Sequence, residues 1–76
     1  MSANLMWAPA KRDKQTLPDA LKFILRDHCC LDSDKQTWEK DQIPYLRGLA
    51  HANVEGAQEL IDAIDTHGAV EIWLEY

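Results

Sequence analysis

The chain has few glycines and cysteines, and both shortages exclude familiar sites. Its three glycines, Gly48, Gly56 and Gly68, are too far apart to form a glycine-rich phosphate-binding loop. The two cysteines, Cys29 and Cys30, are adjacent, and neighbouring residues do not easily form an ordinary disulfide. We therefore expect the fold to be stabilised by packing, as in a cytoplasmic protein, and not by disulfides.

Long hydrophobic runs are also missing. No apolar stretch approaches the roughly 20 residues that cross a bilayer, and the N-terminus lacks the basic and then apolar pattern of a signal peptide. With 46% hydrophobic content, residues 1–76 predict one small domain without membrane contact. A core of this size contributes only about 3–5 kcal/mol of net stability, so a partner or a second copy of the chain would stabilise it further.

Lysine and arginine are absent from the C-terminal third. All eight stand at or before Arg47, and the residues after it carry only negative charge apart from histidine. The carboxylates there are Glu55, Glu59, Asp62, Asp65, Glu71 and Glu75. A field of one sign repels nucleic acid and attracts a basic protein, so we expect no direct nucleic-acid binding by this region. The same charges would also serve simply to keep the protein soluble.

The C-terminal third predicts a helix followed by a strand. Asn53 is a suitable N-cap and Gly68 supplies the positive φ with which many helices end, so we expect a helix over residues 54–67. Its apolar residues recur every three or four positions, at Val54, Ala57, Leu60, Ile61 and Ile64. Apolar and polar residues then alternate over residues 70–75, which is typical of a half-buried strand.

Two further helices are predicted upstream, over residues 17–30 and 42–52. Thr16 stands where it can cap the first. Its apolar stripe consists of Leu17, Ala20, Leu21, Ile24, Leu25 and His28, with Lys22 and Arg26 on the opposite side. The second begins close to Pro44, because proline fits the first turn of a helix but not its interior. Gly48 either permits a close helix contact there or has no structural role.

These elements predict a small α+β domain in which three helices pack on a small two-stranded sheet. The apolar residues 4–8 form a candidate edge strand that pairs with the strand over residues 70–75. Alternatively they form a mobile tail, and the C-terminal strand pairs with a second copy of the chain. Residues 10–16 are predicted to be a polar linker to the first helix, and residues 32–41 show no periodicity that decides between structures.

Soft metal ligands are adjacent only at His28, Cys29 and Cys30. A zinc site needs four converging ligands, and His51 and His67 stand at unrelated spacings on other elements. A reactive thiolate is disfavoured because both cysteines follow a helix, where the dipole is negative, and aspartates are near in sequence. We therefore expect no metal, no cofactor and no enzymatic activity, with His28 at the core edge and Cys29 as a small hydrophobic residue.

The acidic C-terminal region is the remaining candidate for a functional surface. We hypothesise partner contacts at Glu55, Glu59, Asp62, Glu71, Trp73 and Glu75. Trp73 stands between two acids on its strand, so it is either buried against a helix or an exposed anchor for a partner.

This region predicts a non-catalytic interaction protein. It would be a small adaptor, inhibitor or accessory factor of the kind that phages and other mobile elements encode, and it would bind a basic protein surface. Mimicry of nucleic-acid charge is a special case. The alternative is a self-associating homodimeric domain, and a metal or thiol site at residues 28–30 is the third hypothesis.

Overall fold

The computed structural model describes residues 3–9 and 15–76. Within these residues the chain forms four strands and three α-helices, in the order β1, β2, α1, β3, α2, α3, β4. The strands are β1 (Asn4–Pro9), β2 (Gln15–Leu17), β3 (Gln36–Glu39) and β4 (Ala69–Glu75), and the helices are α1 (Asp19–Cys29), α2 (Ile43–His51) and α3 (Ala57–His67). A 3₁₀ turn, Lys40–Gln42, precedes α2. The predicted α+β domain with three helices is confirmed.

The strands form one antiparallel sheet in the order β2-β1-β4-β3, with four strands and not the predicted two. The predicted pairing of the C-terminal strand with the N-terminal one is confirmed, with Trp7 opposite Ile72 near its middle. β1 is not the predicted edge strand, because β2 pairs with its other side. Because β4 also pairs with β3, it has a neighbour on both edges. It leaves no edge on which a second copy of the chain could pair.

One face of the sheet carries the helices and the main core. Alternate residues of β1 and β4 point to this face and meet buried leucines from all three helices. The largest fully buried side chains are Leu5, Leu21, Leu25, Leu46, Leu60, Ile64, Ile72, Leu74 and Val70. The domain measures 30 × 30 × 17 Å, and the short axis is the thickness of a sheet with one layer of helices.

The opposite face of the sheet has a smaller buried cluster of Met6, Ala8 and Trp73, each between 6% and 8% exposed. The hydroxyl of Thr16 lies 3.5 Å from the sulfur of Met6, and the ammonium of Lys35 lies 4.7 Å from the centre of the Trp73 ring. Trp73 is therefore a core residue, which was one of its two predicted roles. It packs among strand residues and not under a helix.

The start of α1 differs from the prediction. β2 pairs with β1 and consists of Gln15 and Thr16, which the sequence assigns to a linker, and Leu17, which it assigns to the first helix. Residues 10–14 of the predicted linker lie outside the described residues. Thr16 is therefore not a helix cap. The helix begins at Asp19, behind Pro18, and no side chain caps it.

The buried side of α1 also differs from the predicted stripe. Lys22, expected on the polar side, is only 3% exposed. Its ammonium donates to the carbonyl oxygen of Ala3 at 2.9 Å and pairs with the carboxylate of Asp19 at 3.2 Å. A buried charge without a partner is energetically costly, so the burial of Lys22 depends on these two partners of its ammonium group. Ala20 and His28, both predicted in the stripe, are exposed, so His28 is not a core-edge residue.

Asn53 ends α2 and does not begin α3, contrary to the prediction. Its φ is 62°, in the left-handed region. The N–H of Asn53 donates to the carbonyl of Ala50, and the N–H of Val54 donates to that of Leu49, both at 3.0 Å. These two bonds form a Schellman motif, in which asparagine is the commonest substitute for glycine.

Three other helix positions are decided by glycine and proline. Pro44 lies in the first turn of α2, as predicted. Gly68, with φ of 82°, ends α3, as predicted, and its N–H donates to the carbonyl of Ile64 at 2.7 Å. Gly56, with φ of 95°, is the N-cap of α3, so the helix starts at Ala57 and not at residue 54.

Candidate partner-binding surface

Four exposed carboxylates lie on the outward side of α3 and in the turn before it. The apolar side of this helix, which includes Leu60 and Ile64, is buried against the sheet, and its burial was predicted. The polar side of the helix therefore faces away from the sheet. Glu59, Asp62 and Asp65 are exposed on this polar side, and Glu55 is exposed in the turn that precedes the helix. We refer to these four residues as the α3 acidic face.

The other predicted contact residues lie on the opposite side of the domain. Glu71, Trp73 and Glu75 point to the helix-free face of the sheet, because alternate residues of β4 point to opposite faces. Both glutamates are partly buried and Trp73 is 7% exposed. The structure therefore divides the six predicted residues between two faces.

Trp73 already has partners within the chain. Its indole N–H donates to a carboxylate oxygen of Glu75 at 3.2 Å, and Lys35 covers its ring. Because the ring of Trp73 is buried, its N–H is hydrogen-bonded and its face is covered by a lysine, it cannot insert into a pocket of a partner protein without breaking these contacts. The predicted role of Trp73 as an exposed anchor has no support in this geometry.

The α3 acidic face, in contrast, has no positive partner within the described residues. Among residues 3–9 and 15–76, neither lysine nor arginine forms an ion pair with any of its four carboxylates. Asp62 accepts a hydrogen bond from the side chain of Gln58 at 3.0 Å, which leaves its charge in place. On α1, by comparison, Asp19 and Asp27 each lie next to a cation. The negative field of the α3 acidic face is thus not compensated locally.

The run of residues 28–30 does not form a converging site. His28 and Cys30 are exposed, whereas Cys29 is partly buried and packs against the core, as expected for a small hydrophobic residue. Cys30 has φ of 53° and terminates α1. In the part of the chain that the structure describes, no three His, Cys, Asp or Glu side chains are grouped so that they could hold a metal ion.

The thiol of Cys29 is near the hydroxyl of Tyr45. Burial raises the pKa of Tyr45 above its ordinary value, and a hydrogen bond with Cys29 adds to this shift. The phenol therefore stays protonated at neutral pH, so it is a hydrogen-bonding group and not a nucleophile. The Tyr45 ring meets that of Trp38 edge-on, with 6.2 Å between the ring centres.

Trp38 and its neighbour Gln36 attach β3 to the end of α1. The indole N–H of Trp38 donates to the side-chain oxygen of Gln36, and the side-chain amide of Gln36 donates to the carbonyl of Cys29, both at 3.2 Å. This strand was not predicted, because Trp38 is the only large apolar residue in a charged stretch. The available signal was the pair Thr37-Trp38, since both residue types favour strands.

The comparisons with known proteins found no relative. No protein family, curated protein or solved structure matches this chain. Within the described ranges, none of the helices has the length and apolar character that a membrane span requires. Function is therefore inferred from the residues of the chain alone.

Proposed function

We propose that this chain is a non-catalytic protein-protein interaction module, and that its α3 acidic face binds a basic surface of a partner protein. The observation that supports this most is the exposure of four carboxylates without a lysine or arginine partner among the described residues, three on the outward side of α3 and one in the turn before it, while the other side of α3 is buried. Lysines or arginines of a partner would gain attractive pairs there without breaking an ion pair of this chain. A rigid helix also presents the charges in a constant arrangement.

The partner of such a face is a protein with a basic groove or patch. The module would be an adaptor, inhibitor or accessory factor, as in many small acidic proteins of phages and other mobile elements. If the basic groove belongs to a nucleic-acid enzyme, the carboxylates of the α3 acidic face would stand in for phosphates. Glu71 and Glu75, on the other side of the sheet, are not part of the proposed contact.

We also propose a cytoplasmic setting. Cys30 is an exposed free thiol and Cys29 is free as well. Exposed thiols persist in a reducing compartment, whereas an oxidising one converts them into disulfides or higher oxidation products.

The test is a capture experiment with the wild-type chain and a triple variant, Glu55→Lys, Glu59→Lys and Asp62→Lys. All three positions are exposed, so the fold should persist, and this is checked by circular dichroism. We expect the wild type to capture a basic protein that the variant does not capture. The affinity measured with the purified partner should fall steeply as salt is raised.

The matched control reverses three other exposed aspartates, Asp27→Lys, Asp32→Lys and Asp41→Lys. This variant has the same net charge as the first but keeps the α3 acidic face. It should capture the same partner as the wild type. If both variants lose the partner equally, net charge and not this face is responsible, and if neither loses it, the proposed surface is wrong.

Mimicry of nucleic acid is tested separately with the purified partner. A DNA or RNA duplex should then compete with the chain for the partner, in proportion to the affinity of the duplex. Simultaneous binding of the duplex and the chain would contradict mimicry but would leave the acidic contact standing.

A further inference from the structure

β3 is an edge strand, and within the described residues no strand pairs with its outer side. β3 pairs with β4 along its other side. Among residues 3–9 and 15–76, the one other hydrogen bond of its backbone joins the N–H of Glu39 to the side chain of Gln42. Thr37 and Glu39 are exposed. An edge of this kind is a template for another strand.

The charges along this edge are self-complementary. Residues 34–40 read Asp, Lys, Gln, Thr, Trp, Glu, Lys, so opposite charges stand at equal distances on either side of Thr37. When two copies of an antiparallel strand pair with Thr37 opposite Thr37, Lys35 of one lies opposite Glu39 of the other. This happens twice, by symmetry. The next pair outward, Asp34 with Lys40, is also of opposite sign.

The same register agrees with the two faces of the sheet. Trp38 and Gln36 point to the helix-bearing face, since they lie opposite Val70 and Ile72. With Thr37 on the two-fold axis between the copies, Gln36 of one copy lies opposite Trp38 of the other. The helix-bearing face of one sheet therefore continues into the helix-bearing face of the other across the junction of the two β3 strands. A shift by one residue would place Trp38 opposite an outward-facing residue. A shift by two residues would lose the pairing of Lys35 with Glu39.

We propose that a second copy of this chain pairs with β3, antiparallel and centred on Thr37, so that two four-stranded sheets become one continuous sheet. β3 is better suited to this than the other edge strand. β2 has only three residues and is followed directly by Pro18, which cannot donate to a ladder. This interface does not use the α3 acidic face, which would occur twice in the dimer.

The test exchanges the charges of Lys35 and Glu39 and measures the dimer dissociation constant of each variant by sedimentation equilibrium over a range of concentrations. We expect the wild type to form a dimer. Lys35→Glu places like charges opposite Glu39 at both ends of the junction, and Glu39→Lys does the same with Lys35. Because a like-charged cross-strand pair loses about as much as an opposite pair gains, each single variant should weaken the dimer about tenfold or more. The double variant restores both pairs and should return to within about threefold of the wild type.

The double variant distinguishes the loss of ion pairs between the two copies from the loss of contacts within each copy. Lys35 also lies over Trp73, and Glu39 accepts a bond from the Gln42 backbone, so each single change affects its own chain as well. Such internal losses add up in the double variant, whereas losses across the junction cancel. Glu59→Lys, an equal change of charge on α3, should leave the dimer unchanged. If a charge reversal prevents folding, Lys35→Gln and Glu39→Gln replace it and should weaken the dimer about threefold.

Three outcomes overturn the proposal. The first is a wild-type chain that stays monomeric up to about 1 mM, where even a weak association would be visible. In that case the charges protect the edge from pairing. The second is a dimer that neither single variant weakens. The third is a double variant that is no stronger than the singles.

Discussion

Gly56 and Gly48 show that two glycines of one chain can have opposite effects on stability. Gly56 has φ of 95°, and a Cβ added there would lie 2.8 Å from Cδ of Pro18. That contact is with a rigid ring and is closer than real Cβ atoms approach. Gly48 is in α2, exposed, and a Cβ there would meet nothing within 4 Å. The close helix contact considered for Gly48 is therefore absent.

We predict that Gly56→Ala lowers the free energy of unfolding by at least about 2 kcal/mol, because alanine is strained at this φ and meets Pro18. Gly48→Ala should raise it by about 1 kcal/mol, because alanine is the better helix former. Urea denaturation followed by circular dichroism measures both. Equal effects of the two variants would contradict the geometry at Gly56.

Lys22 shows what sequence periodicity misses at the scale of one residue. Lysine is almost never fully buried, so the pattern places it on the polar side of α1. The structure buries its stem and satisfies its ammonium with the carbonyl of Ala3 and the carboxylate of Asp19. The carbonyl belongs to a residue 19 positions away in the chain, so no local pattern could indicate it.

At the scale of elements, the boundary between α2 and α3 depends on Asn53. Asparagine favours both the N-cap of a helix and the left-handed residue after a helix, so its identity alone leaves the two roles open. The structure selects the second role, because the bonds from Asn53 and Val54 return to α2. The following turn then ends at Gly56, where α3 begins.

The two roles of Asn53 predict different mutational effects. We expect Asn53→Gly to keep or raise stability by up to about 1 kcal/mol, because glycine has no penalty at positive φ. Asn53→Ser should lower it by about 1 kcal/mol, because serine is strained there. An N-cap would give the reverse order, since serine is a good cap and glycine is slightly worse. Midpoints of thermal unfolding of the two variants decide between these orders.

The strands β2 and β3 illustrate a limit at the same scale. Each has only three or four residues, and their sequences are mostly polar. Strands so short are stable only when paired with a neighbour. β2 pairs with the preceding strand β1, whereas the partner of β3 is β4, more than 30 residues further along the chain. The helices, by contrast, bond within themselves, so their existence and type followed from the sequence even where their ends did not.

At the scale of the whole molecule, β4 holds the domain together. It joins β1 to β3, and its inner residues lie under the helices. Ile72 is completely buried at this position. Its neighbour Glu71 points to the other face and is only partly buried, so the two residues form a matched pair on one strand.

We predict that Ile72→Ala leaves the chain largely unfolded at 25 °C. Such a change in a core costs about 2–5 kcal/mol, and a domain of this size has only about 3–5 kcal/mol to lose. Glu71→Ala should change stability by no more than about 0.5 kcal/mol. Near-ultraviolet circular dichroism of the tryptophans reports the loss of packing. A folded Ile72→Ala variant would mean that β4 is not the centre of the core.

Sequence alone was enough to predict the three helices, the terminal strand, the position of Pro44 in a first helical turn, the helix end at Gly68 and the one-sided distribution of charge. These depend on patterns that repeat every two to four residues, on single turn-forming residues or on composition, all of which can be read along the chain. The folded structure was needed to establish the pairing of β2 with β1 and of β3 with β4, the burial of Lys22 and the division of the acidic residues between two faces. Each of these depends on which segments pack together, because a pairing partner, a buried counter-charge and a sheet face exist only once the chain has folded.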